Sequence, residues 1–130
     1  MTSDELKERF RKFSIRIVKM VNAMPTSIAG VTLSKQIIRS GTSPAANYRA
    51  ACLAKSHKDF LNKLKMVEEE IDETAYWLEL IMDTELLPRN QVQNLYDECV
   101  ELSRIIVRSI TTVKQTIDTQ SNPKNDTIDK

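Results

Sequence analysis

The chain is poor in the residues that build catalytic sites and tight turns. Its 130 residues include two glycines, four prolines, two cysteines, one tryptophan and one histidine. An all-β fold needs many glycine-bearing turns, so two glycines in a chain of this length favour long helices. No run approaches the roughly 18 apolar residues of a membrane span. The opening MTSDELKERF lacks the charged-then-apolar layout of a secretory leader. Cys52 and Cys99 stand 47 positions apart with no CxxC, which reads as two thiols in a reducing cytoplasm rather than a disulfide or metal site. The expected location is therefore cytoplasmic, away from a membrane.

Catalytic chemistry finds little to work with. Di-iron bundles need Glu-x-x-His on two helices, and His57, the only histidine, is not in such a motif. Glu68, Glu69, Glu70, Asp72 and Glu73 are dense, but a charge run on a helix is ordinarily a solvated or ion-paired face. There is no Walker loop and no GxGxxG, and Gly41 reads as a helix-packing or kink residue. No catalytic residue, metal ligand or cofactor is expected, and the chain is not expected to be an enzyme.

What is present is four amphipathic segments. Leu6, Phe10, Phe13, Ile17 and Met20 recur at spacings of 4, 3, 4 and 3, a heptad-like seam on a helix from about Asp4 to Met24. Thr26 or Ser27 can cap the next segment, which carries Ile28, Val31, Ile37 and Ile38. Pro44 lacks an N–H and disfavours helical geometry at Ser43, so a kinked second helix is expected to about Lys55. Ser56 and Asp59 resemble a capping box opening a third helix with the seam Phe60, Leu64, Val67, Ile71, Leu78 and Ile81, interrupted by Thr74. A fourth, from about Pro88–Gln91 to Ile117, has the seam Val92, Leu95, Cys99, Leu102, Ile106 and Val113. The expected fold is all-α, an antiparallel up-and-down four-helix bundle over residues 1–117, with a disordered polar tail at 118–130.

Two further patterns point outward. Met66, Glu69, Glu73, Tyr76 and Leu80 form a second stripe on the third helix, with Trp77 beside it; Val100, Val107, Ile110 and Ile117 lie outside the main seam of the fourth. These are either a wide core face or a subunit interface with aromatic anchors. Charge is also split: residues 1–66 hold 13 Lys or Arg against 4 Asp or Glu, and residues 67–130 hold 6 against 14. A basic face meeting the acidic face of the next copy would be a heterologous contact, which closes into a ring when the rotation permits.

Arg9, Lys12, Arg16 and Lys19 line one stripe of the first helix. Such a surface suits the phosphate backbone of RNA or DNA; the rival reading is a solvated face, or one neutralised by a neighbouring subunit. Arg39 and Arg49 are candidates for ion pairs with Glu69, Asp72 or Glu73, and Asn47 for a buried polar network beside them. The readings left open are a nucleic-acid-binding accessory protein and a scaffold with protein partners only.

At these residues a family resemblance enters. Arg39-Ser-Gly-Thr-Ser43 and Ala46-Asn47-Tyr48-Arg49-x-Ala51 resemble the signature of the bacterial 23S rRNA intervening-sequence proteins. The match continues through Asp59-Phe60, Lys63-Leu64, Glu68-Glu69, Asp72-Glu73 and Tyr76-Trp77-Leu78-Glu79-Leu80, and spans about Leu6 to Ile117. Pro44 and Ala45 depart from the pattern. The resemblance implies a homopentameric ring of four-helix bundles and transfers no catalytic residue. The fold is also similar to the accessory variability determinant proteins of diversity-generating retroelements, basic pentamers that bind nucleic acid and a reverse transcriptase.

Overall fold

A computed structural model describes residues 1–121. Its elements are α1 (Ser3–Asn22), α2 (Ile28–Ala51), α3 (His57–Asp83) and α4 (Arg89–Ser121), with no strand among the described residues. Each helix packs on its neighbour in sequence and α4 closes back onto α1, while the diagonal pairs have no backbone approach within 8 Å. The register is antiparallel. Arg39 of α2 reaches Glu73 of α3, whereas Asn47, further along α2, reaches the earlier Glu70.

Side-chain caps set three of the helix starts. The Thr2 hydroxyl accepts from the Glu5 N–H at 3.1 Å, Ser27 from Gly30 at 3.1 Å, and Ser56 from Asp59 at 3.0 Å. The Asp59 carboxylate accepts from Lys63 at 3.0 Å, one turn on. α3 ends with Glu85 in the left-handed region at φ 58°, where the Leu86 N–H bonds the Ile81 carbonyl at 3.1 Å. That is the closure glycine ordinarily makes, so no glycine announces this helix end.

α2 runs unbroken through Pro44 and stops at Ala51, short of the expected Lys55. The Thr42 and Ser43 hydroxyls donate to the Ile38 and Arg39 carbonyls at 2.6 and 2.7 Å, just before the proline. α4 continues past Ile117 to Ser121, which corrects the expected boundary; the rest of the expected tail, residues 122–130, lies outside the described residues.

The expected seams of α1 and α4 are buried in full, and that of α3 is buried save for the half-buried Phe60; Ser109, where the α4 pattern breaks, is half-buried. α2 departs from expectation. Ile28 is 90% exposed, Val31 and Ile38 are also exposed, and only Ile37 of the four faces the core. The inward side of α2 is instead Gly30, Ile37, Ser40, Gly41, Pro44, Tyr48 and Ala51. Space is the reason: a Cβ on Gly41 would lie 2.8 Å from both Cγ atoms of Ile17. Of the residues outside the main seam of α4, Ile110 is buried in the core, as a wide core face requires, whereas Val107 is exposed.

Thr74, the polar break in the α3 seam, is fully buried and satisfied: its hydroxyl donates to the Glu70 carbonyl at 2.8 Å and accepts from the Ser40 hydroxyl at 3.0 Å. Both cysteines are free thiols; Cys99 is buried and Cys52 only partly so. Burial, reinforced by Asp72, Glu98 and Glu79, pushes the Cys99 thiol up to about 12. Above the free-thiol value the unfolded chain loses this proton first, so stability falls as pH rises. The unfolding free energy from urea titrations should drop between about pH 9 and pH 12, by up to about 1.4 kcal/mol per pH unit for one proton. Cys99→Ala should flatten that part of the profile; an unchanged slope would exclude the thiol as its source.

Candidate nucleic-acid and subunit interfaces

The basic stripe of α1 lies on the side that meets α4, and the structure divides it. Arg9 is held as a fork: Nε donates to Glu98 Oε2 at 2.8 Å and Nη2 to Oε1 at 2.7 Å. This bidentate bond keeps the guanidinium protonated more firmly than usual, against a smaller opposing effect of burial. Arg9 is thus a clasp between the first and last helices.

Lys12, Arg16 and Lys19 are exposed and make no ion pair among the described residues. Nearby acid is already engaged. Glu98 is taken by Arg9, and Glu101, which also attracts Arg9, lies 3.7 and 3.9 Å from Arg104 and Arg108. Elsewhere on α1, Lys7 pairs with Asp4 at 3.0 Å and Arg11 with Glu8 at 3.3 Å. Three neighbouring cations with no carboxylate to neutralise them are what remains.

The second set of predicted residues also separates. Glu73 accepts from Arg39 and, through the same oxygen, from the Trp77 indole N–H at 3.0 Å. Asn47 donates to Glu70 at 2.6 Å. These bonds join α2 to α3 beside the buried Ser40–Thr74 pair. Glu70 and Ser40 are the members that sequence reasoning missed. The available signal was spacing, because Glu70, Glu73, Thr74 and Trp77 follow one helical face.

Arg49, Glu69, Asp72 and Tyr76 are exposed with no polar partner among the described residues. Tyr76 is 55% exposed and Met66 49%, and the Tyr76 ring sets its edge against Trp77 with centroids 5.1 Å apart. The exposed Tyr76 ring thus stands beside an indole that the Glu73 carboxylate holds in place. His57 is exposed at the first position of α3. Among the described residues no group of three or more His, Cys, Asp or Glu could hold a metal ion. No described helix is long and apolar enough to cross a membrane.

These features define an all-α, four-helix bundle whose unpaired chemistry sits on its outer faces rather than in an internal cavity. The chain belongs to the 23S rRNA-intervening sequence protein family, whose model matches residues 4–108. It is similar to a crystal structure of a protein of unknown function from the S23 ribosomal protein family of Bacteroides thetaiotaomicron. The two share 37% identity and a TM-score of 0.76, over 81% of this chain and 97% of that one. No curated protein matches it.

Proposed function

We propose that this protein is a non-enzymatic accessory bundle that self-assembles into a ring, of five copies by family resemblance, and binds nucleic acid through α1. The observation that carries the binding reading is the exposed, unpaired trio Lys12, Arg16 and Lys19, set among carboxylates that other arginines occupy. Cations without counter-charge favour a polyanion, because binding releases the counterions condensed on the phosphates. Filter binding of structured RNA and duplex DNA across a salt series tests this. Absence of salt-sensitive binding near about 50 mM salt would leave the protein-only scaffold, with its charged faces used in self-assembly.

Two complementary outer faces support assembly. Ile15, Val18, Val31 and Ile38 are exposed on α1 and α2, the helices that also carry the unpaired Lys35 and Arg49. α3 presents Met66 and Tyr76 with the unpaired Glu69 and Asp72. Different surfaces of one chain that fit each other give head-to-tail contacts, and hence rings. Tyr76→Glu should weaken the subunit contact by at least about 2 kcal/mol, roughly thirtyfold. Light scattering should then show smaller species with helical content unchanged. A wild-type monomer at micromolar concentration would overturn the ring.

A further inference from the structure

The top of the α1–α4 junction holds a notch of about 270 Å³ beside the unpaired trio. Its floor is the buried Met20, Leu87 and Leu95, and Arg16 and Lys19 line its sides. Gln91, also in the lining, has a side-chain amide with no partner among the described residues. No carboxylate lines it. An apolar floor, two cations and one free amide match the three parts of a nucleotide: the base plane, the phosphate and the base edge.

We infer that this notch receives one unpaired base, so that the α1 surface prefers single-stranded or looped nucleic acid to a regular duplex. The inference rests on the nucleic-acid reading above. A base locked in a duplex stack cannot leave it without losing its pairing, whereas an unpaired base can turn into an apolar recess while its phosphates stay on the cations. The notch lies next to Lys19 and one helical turn or two from Lys12, so a strand following the trio passes its mouth.

The test is fluorescence anisotropy at about 50 mM salt with three labelled probes of equal length: a single strand, the same strand with abasic sites, and a duplex. The wild type should bind the base-bearing strand at least about fivefold tighter than either other probe. Ala23→Leu, placed at the exposed rim of the notch, should reduce that strand to the abasic level while leaving the other two unchanged. Gln91→Leu keeps the shape of the lining without the amide and should lower the preference without abolishing it; it also serves should Ala23→Leu fail to fold by circular dichroism. Equal, salt-sensitive binding of all three probes would overturn the notch and leave the phosphate surface standing. No binding of any probe would overturn both. Displacement of the base-bearing strand by polyglutamate as effectively as by unlabelled strand would assign the notch to acidic peptide, and would also overturn the inference.

Discussion

Replacing Lys12, Arg16 and Lys19 together with Gln should weaken nucleic-acid binding by about a hundredfold or more at roughly 0.1 M salt. The magnitude follows from counterion release. Each phosphate neutralised contributes about 0.7 to 0.9 to the slope of log K against log salt, so three contacts account for roughly 2 to 2.7 of it. Binding of wild type and variant should therefore converge towards 1 M salt and separate by two decades or more at a tenth of that. Arg9 is left in place because its guanidinium clasps Glu98, and removing it would leave a half-buried carboxylate without its partner. The three replaced side chains hold no hydrogen bond or ion pair among the described residues, so helical content should not change. Identical salt slopes for the two proteins would place the binding surface elsewhere. Loss of the oligomer in the variant would assign these charges to the subunit contact instead.

Gly41→Leu should lower the unfolding free energy by about 3 kcal/mol, read from urea midpoints at matched protein concentration. A Cβ at Gly41 already meets Ile17 Cγ1 and Cγ2 at 2.8 Å and Cδ1 at 3.0 Å. Ile17 is fully buried and β-branched, so it has little rotameric freedom within α1. The two helices must move apart, loosening the α1–α2 contact that two turns away includes the Phe10–Tyr48 ring pair at 5.4 Å. Gly41→Ala should cost less, since better helix propensity returns about 1 kcal/mol of the overpacking. Combining it with Ile17→Ala removes the clash, so the double variant should be more stable than the sum of the two single losses. Strict additivity, or an unchanged midpoint for Gly41→Leu, would mean that α1 and α2 do not approach through this glycine.

Much of the fold was legible because its signals are local. Ser27 and Ser56 cap N–H groups three residues ahead, so their roles follow from chain geometry alone. The seams of α1 and α4, and nearly all of that of α3, emerge from spacing because large apolar side chains at helical period have few alternatives to burial. α2 resisted the same reasoning. Its conspicuous residues, Ile28, Val31 and Ile38, are exposed, and its buried side is mostly small or hydroxylated. Apolar periodicity weights bulk, whereas close helix approach selects for its absence. The candidate site was legible as a stripe of cations but not as its division.

Four helices, most of their caps, the large-residue core and the contrast between a basic first half and an acidic second are all written in the order of the residues. All of these depend on side-chain chemistry and on partners within about one helical turn. It took the packed helices to commit Arg9 to Glu98 and leave Lys12, Arg16 and Lys19 uncommitted. The same packing brings Thr74 to Ser40, turns Ile110 inward, and sets Met20, Leu87 and Leu95 in a notch beside the free cations. Distance along the chain makes the difference. A charge or a hydroxyl finds its partner across helices packed in three dimensions, and Arg9 and Glu98 are 89 positions apart.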